Sequence, residues 1–154
     1  MSKIIEIPYH FEKHRPLGWH NFYKGLEDKL ILELEKNGIN PKEVLYRGIK
    51  YQDFSRLINT GYDLPLNFNF YAGAISDGHH TIRTAIEYGY AKKSNPWVFR
   101  KTKNQFIVAC YNKNFFDKNE FQEKSGYQNY NWILKPNFKY KQALQAIFVF
   151  KPVL

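Results

Sequence analysis

The clearest pattern of apolar and polar positions along the chain covers residues 19–37. Apolar side chains recur there every four positions and charged side chains fill the other faces, which predicts an amphipathic helix. The apolar stripe consists of Phe22, Leu26, Leu30 and Leu34, widened by Ile31. The dipeptide Asn37-Gly38 then supplies a left-handed stop for the helix. Such a stripe is typical of core packing, and we assign it no function.

Short apolar runs elsewhere predict strands separated by turn residues. They cover residues 3–8, 44–49, 70–72, 106–111, 130–134 and 143–150. Short helices are predicted at residues 54–60 and 80–90, with Asp53 and Asp77 as their N-caps and Gly61 ending the first. A tight turn at 73–78 and a helical turn at 119–124 complete the prediction. An early helix followed by strands with inserted helices indicates an α+β domain rather than a parallel βαβ sheet.

The helix predicted at residues 80–90 has a narrow apolar stripe. It is formed by Ile82, Ala85, Ile86 and Gly89, at helical spacing. Two of these residues have little or no side chain, so we expect this helix to pack closely onto a sheet.

The 154 residues predict one domain, with a strand and a helix in residues 1–43 and the core in residues 44–154. The one cysteine, Cys110, excludes a disulfide framework and is expected to be a buried thiol. The first residues lack the features of a signal peptide, and no apolar run approaches the ~20 residues of a membrane span. These features predict a cytoplasmic protein with no membrane partner.

The positive charge of the chain lies in its second half. Residues 1–88 contain 11 Lys/Arg and 11 Asp/Glu, whereas residues 89–154 contain 12 and 3, so the whole formal charge of +9 falls there. This asymmetry indicates a surface for a nucleic acid or an acidic protein, although a generally lysine-rich surface gives the same composition.

The common catalytic motifs are absent from the sequence. It contains no GxxxxGK[ST], GxGxxG, HExxH or Gly-x-Ser-x-Gly. His79 and His80 are adjacent and so point in different directions, and the histidines near the start have no ligand spacing. We therefore predict no metal cofactor.

The strand at residues 44–49 carries an arginine, Arg47, followed by Gly48. Burying a guanidinium is costly unless an anion meets it, and a glycine lets a ligand or another backbone approach the chain closely. The strand is therefore a candidate anion-binding edge. On its own, however, the dipeptide is more typical of a strand end whose arginine points into water.

Three separated segments together resemble a known superfamily. They are the strand ending in Tyr46-Arg47-Gly48; the strand Phe70-Tyr71-Ala72 with the turn and the helix after it, up to Tyr88; and the patch Tyr127-Gln128-Asn129-Tyr130 that opens a strand. Their order and spacing resemble the ADP-ribosyltransferase superfamily, most of all its poly(ADP-ribose) polymerase and diphtheria-toxin branch. That branch has histidine at the Arg47 position, and the cholera-toxin-like branch has arginine. The resemblance covers residues 45–151.

The resemblance implies a fold, a substrate and a site. The fold is an N-terminal helix with split antiparallel sheets and short inserted helices, and the substrate is NAD. Arg47 would contact phosphates or ribose hydroxyls, Gly48 would hold the nicotinamide carboxamide through its backbone, and Tyr88 with Tyr71 behind it would stack on the ring. Further polar contacts would come from Ser76, Thr81 and Gln128.

The sequence departs from the family at the signature glutamate, where Asn129 stands. A carboxylate there stabilises the positive charge that develops as the glycosidic bond breaks, and an amide supplies no charge. The expected loss is on the order of 10²–10³ in rate unless Glu120 or Glu123 takes over.

The sequence therefore predicts a mono-ADP-ribosyltransferase that acts as a small intracellular toxin or effector on a nucleic acid or a protein, with an antitoxin as a further partner. One alternative is a non-catalytic nucleic-acid-binding module, in which the cations of residues 92–103 accompany Trp97 and Phe99. Another is a small basic ribonuclease with His79 or His80 as general acid.

Overall fold

The computed structural model describes residues 3–10, 18–62, 76–77, 79–90, 105–117, 121–123, 132–134 and 140–153. Within these ranges the helices are α1 Gly18–Lys36, α2 Phe54–Thr60, α3 His79–Tyr90 and α4 Tyr140–Ala143. The strands are β1 Lys3–His10, β2 Val44–Lys50, β3 Ser76–Asp77, β4 Phe106–Asn112, β5 Phe121–Glu123, β6 Trp132–Leu134 and β7 Leu144–Val153. Single turns of 3-10 helix lie at Pro41–Glu43, Tyr51–Asp53 and Lys113–Phe115.

The main sheet has the strand order β1-β7-β4-β2-β3, and strands β5 and β6 pair separately. Strand β1 runs parallel to β7, and the other neighbours in the main sheet are antiparallel. The molecule is thus a mixed α and β fold. The resemblance implies split antiparallel sheets; the small sheet is antiparallel, and the main sheet is antiparallel except where β1 pairs in parallel with β7.

Alternation along the strands divides the core into two layers, because successive side chains of a strand point to opposite faces. On one face Tyr46, Val108 and Phe148 are buried with helices α1 and α3. On the other face Leu45, Ala109 and Ile147 are buried with Leu57 of α2, Tyr62 and α4.

The predicted apolar stripe of α1 is confirmed. Leu26, Leu30 and Leu34 are almost completely buried, and Phe22 is half-buried against the same core. The helix ends at Lys36, and Gly38, whose φ of 72° is the left-handed conformation, provides the expected stop. The N–H of Ile39 then donates to the carbonyl of Leu34 at 2.9 Å and closes the last turn.

Three local predictions are wrong. Residues 121–123 form strand β5 rather than a helical turn, because they pair with Trp132–Leu134, a partner distant in sequence. Asp77 lies in strand β3 opposite Leu45, two residues before α3 begins at His79, so it does not occupy the expected N-cap position. Asp53 makes no side-chain capping bond, since a turn of 3-10 helix leads directly into α2. The strand predicted at 70–72 lies outside the described residues.

Candidate functional site

Arg47 lies in the middle of strand β2, opposite Ala109 of β4. Only 7% of the Arg47 surface is exposed. Among the side chains that the structure describes, Arg47 is the only charged one that is buried. By strand alternation it shares a face with Leu45 and Ile49, in the layer that contains α2. The sequence expectation of a strand that buries an arginine is confirmed, and the alternative of an arginine pointing into water is not.

The guanidinium of Arg47 lies over an aromatic ring. Its central carbon is 4.8 Å from the centroid of the Tyr62 ring, within the range of a cation–π contact. Tyr62 is fully buried and comes two residues after helix α2. An electron-rich ring face compensates part of the cost of removing the cation from water.

Three buried tyrosines, Tyr62, Tyr111 and Tyr140, support this contact, and we call them the tyrosine platform. The rings of Tyr62 and Tyr140 stack with centroids 4.5 Å apart and planes at 17°. Tyr140 meets Tyr111 edge to face at 5.5 Å, and the Tyr111 hydroxyl donates a hydrogen bond to the carbonyl of Gly61. The platform therefore connects the residue before Tyr62 to strand β4.

Gly61 allows the chain to enter the platform. Its φ is 80°, and a Cβ at this position would lie 2.5 Å from the Cα and the N of Lys141. Only a glycine combines the left-handed conformation with such a close approach to the backbone of α4. This glycine thus fixes where Tyr62 and Tyr140 meet.

The close approach predicted at Gly48 is present, and helix α3 makes it. A Cβ on Gly48 would lie 2.1 Å from the carbonyl oxygen of Ala85 and 2.9 Å from the N of Gly89. Gly89 in turn packs its Cα against Phe106, since a Cβ there would lie 2.8 Å from that ring. The predicted packing of α3 onto the sheet is confirmed. The proposed contact of the Gly48 backbone with nicotinamide stays a prediction.

Strand alternation places the two halves of the predicted site on opposite faces of β2. The side chain of Arg47 lies on the face with Tyr62, whereas Gly48 faces helix α3, which contains Thr81 and Tyr88. A ligand that contacts both Arg47 and α3 must therefore pass round an edge or an end of the sheet. The resemblance implies one site for these residues and does not indicate this separation.

The structure gives less detail for the other predicted site residues. Ser76 lies in β3 opposite Tyr46, so it is beside the strand of Arg47. Glu123 lies in β5. For these two residues, and for Thr81 and Tyr88, the structure describes the backbone position only. Outside the described residues lie Tyr71, Glu120, Gln128, Asn129 and the basic segment 92–103.

The residues that sequence reasoning missed are the members of the tyrosine platform. No local pattern connects positions 47, 62, 111 and 140, which come from two strands, a turn and a helix. The available signal was indirect: a buried arginine requires compensating groups, and the chain has 12 tyrosines.

The one cysteine of the chain, Cys110, lies in the core as a free thiol. Cys110 is fully buried, and this burial raises the pKa of its thiol well above the ordinary value, which suppresses the nucleophilic thiolate. The described residues contain no group of three or more His, Cys, Asp or Glu side chains that would hold a metal ion. Among the described helices, none has the length and apolar character that crossing a membrane requires.

Compared with protein-family models, with curated proteins and with solved structures, the chain gives no significant match.

Proposed function

We propose that the chain is an NAD-dependent mono-ADP-ribosyltransferase that modifies a macromolecular acceptor. The observation that carries the proposal is the buried guanidinium of Arg47 on strand β2. Proteins rarely keep a desolvated cation inside a sheet, and a strand that does so is a candidate for binding an anionic group. The diphosphate of NAD is such a group, and a planar guanidinium matches its oxygens in a forked geometry.

The arrangement of the neighbouring elements supports the proposal. Ser76 of strand β3 pairs with Tyr46 of β2, the residue before Arg47. Helix α3 begins two residues after the end of β3 and packs on Gly48. In the resemblance to ADP-ribosyltransferases, Ser76 belongs to the turn between the strand at residues 70–72, which lies outside the described residues, and this helix. What supports the proposal is therefore the helix that packs on the strand of Arg47 and Gly48.

In this proposal Arg47 contacts the diphosphate or a ribose, and the Gly48 backbone holds the carboxamide. Tyr88 and Tyr71 stack on the nicotinamide ring. Ser76, Thr81 and Gln128 contribute hydrogen bonds. Asn129 orients a ribose hydroxyl, and Glu120 or Glu123 supplies the charge that Asn129 lacks.

The basic half of the chain attracts the acceptor, an RNA, a DNA or an acidic protein, as expected of a small toxin or effector with an antitoxin.

Binding of NAD can be tested by thermal unfolding. A ligand at 100 times its dissociation constant stabilises the folded state by about 2.7 kcal/mol, which for a chain of this size raises Tm by about 5–10 °C. We expect this shift for the wild type and for Arg56→Lys, the same change at an exposed arginine of α2. Arg47→Lys should lose most of it. An equal shift in Arg47→Lys would contradict the assignment.

Transfer is tested separately with labelled NAD and RNA, DNA and protein acceptors. We expect label on one acceptor class with the wild type, and a loss of at least tenfold with Arg47→Lys and with Tyr88→Ala. Transfer that survives both substitutions would exclude these residues from the site. Cleavage of RNA without NAD would instead favour the ribonuclease alternative, and steeply salt-dependent nucleic-acid binding that ignores Arg47 would favour the binding module.

A further inference from the structure

The contact between Arg47 and Tyr62 restricts the arginine in a particular way. The guanidinium carbon of Arg47 lies 4.8 Å from the centroid of the Tyr62 ring, so this ring covers one side of the group. A free arginine side chain samples many rotamers, and fixing it costs conformational entropy when a ligand binds. A guanidinium that already lies on a buried ring loses this conformational entropy during folding, so less is lost when a ligand binds.

The tyrosine platform is itself rigidly held. The rings of Tyr62, Tyr111 and Tyr140 are all fully buried, and Tyr140 contacts both of the others. Phe116 packs at 5.8 Å from Tyr140 on the same side of the sheet. The Thr60 hydroxyl lies 2.8 Å from the carbonyl oxygens of Arg56 and Tyr62, either of which can accept its one proton, and this anchors the turn after α2. The ring under Arg47 therefore cannot move without disturbing the core.

We propose that Tyr62 is the positioning residue for Arg47, and that the tyrosine platform holds the guanidinium in one orientation for an anionic ligand. The inference rests on the proposed function for the identity of that ligand, the diphosphate of NAD. The positioning itself follows from the described contacts. Tyr62 is not a catalytic residue, because it acts through Arg47.

The chain contains a matched control for this contact. Arg83 of helix α3 lies over Tyr23 of α1, with its guanidinium carbon 5.7 Å from the ring centroid. Arg83 also pairs with Glu27, Nε to Oε1, at 3.2 Å, so its role is to join the two helices. Removing the Tyr23 ring should disturb an arginine–tyrosine contact of the same kind without affecting ligand binding.

The first experiment needs no NAD. Side-chain NMR of arginine-labelled protein should show the Arg47 protons shifted upfield by the Tyr62 ring, with Arg47→Lys identifying the signals. We expect the shift to persist in Tyr62→Phe and to disappear in Tyr62→Leu, while Tyr23→Leu moves only the Arg83 signals. Arg47 protons at random-coil positions in the wild type would overturn the proposal, even if Tyr62→Leu fails to fold.

The second experiment measures the dissociation constant for NAD by calorimetry. Tyr62→Leu should weaken binding about 5- to 30-fold, whereas Tyr62→Phe and Tyr23→Leu should stay within about threefold of the wild type. When Arg47→Lys is already present, the additional change Tyr62→Leu should not weaken NAD binding further, because the two residues act as one unit. Additive losses would mean a merely structural role. No binding by the wild type would contradict the proposed function, and the NMR shifts would then decide the positioning alone.

Discussion

Two arginines of this protein lie over tyrosine rings, and their surroundings differ. Arg83 stands between Glu27 and Glu87, at 3.2 and 3.9 Å, and about a quarter of its side chain is exposed. Arg47 is buried in the sheet on a stack of aromatic rings. The first geometry is that of an ordinary interhelical ion pair. The second keeps a cation in a dry environment, where its interaction with an anion is strengthened.

Gly48 provides a test of packing at the residue scale. Gly48→Ala should lower the free energy of unfolding by about 3 kcal/mol, because the new methyl group would overlap the carbonyl of Ala85 in helix α3. The measurement is urea unfolding followed by circular dichroism.

The control for this substitution is Gly25→Ala in helix α1. No atom lies within 4 Å of the added methyl group there, and alanine is the better helix former, so stability should rise by about 0.5–1 kcal/mol. A small effect of the same sign at both glycines would contradict the close contact between β2 and α3.

At the scale of elements, helix α1 shows how well periodicity predicts burial. The predicted bounds differ from Gly18–Lys36 by one residue at each end, and the residues predicted for the stripe face the core. The predicted bounds of helix α3 differ from His79–Tyr90 by one residue at its start, and its residues Ile82, Ala85 and Ile86 are buried. Both helices have an apolar stripe on one side only, so their sequences specify which side is buried.

Two leucines of α1 test this assignment. Leu30→Ala should cost about 2–5 kcal/mol, because Leu30 is fully buried and the substitution leaves a cavity between α1 and the sheet. Leu32→Ala removes the same atoms from a side chain that is 53% exposed, and should change stability by less than about 0.5 kcal/mol. Chemical unfolding of the two variants checks the prediction, and similar losses in both would place the core on the wrong side of the helix.

Short strands without a run of apolar residues were predicted less well than the long strands. Phe121–Glu123 reads as a helical turn from its own residues and becomes a strand only through Trp132–Leu134. Ser76–Asp77 reads as part of a turn and pairs with β2 instead. A strand obtains its hydrogen bonds from another segment, so a short polar stretch contains little information about its pairing.

At the scale of the whole molecule, burial of acidic protons makes stability dependent on alkaline pH. Burial raises the pKa of the Cys110 thiol and of the Tyr9 and Tyr46 hydroxyls, from ordinary values of 9.0, 10.0 and 10.0. The unfolded chain therefore releases these protons first as pH rises, and the free energy of unfolding falls. The stabilisation is complete below about pH 8, where neither state ionises these groups.

Between pH 8 and pH 10 we expect a loss of about 2 kcal/mol from these three groups, measured by urea unfolding at each pH. Cys110→Ala should lose less over the same range, since it has no thiol to ionise. An unfolding free energy that stays constant or rises toward pH 10 would contradict the raised values.

The first and last strands join the ends of the chain in one sheet. Strand β1 pairs with β7 over residues Lys3–His10, and Lys151 bonds to Glu6 at 2.7 Å. The segments 1–43 and 44–154 that the sequence distinguishes thus share a sheet and a core.

The amino-acid sequence by itself determined which segments are helices or long strands, which sides of the helices are buried, and that Arg47 and Gly48 occupy an unusual strand. These properties depend on neighbours within a few positions, so local periodicity and residue type specify them. The tertiary structure alone decided that Tyr62 lies under Arg47 and is joined there by Tyr140 and, through it, Tyr111. It also decided that Gly48 faces α3 on the opposite side of the sheet. Contacts between distant segments follow from strand order and from the face of each strand, and no local pattern contains them.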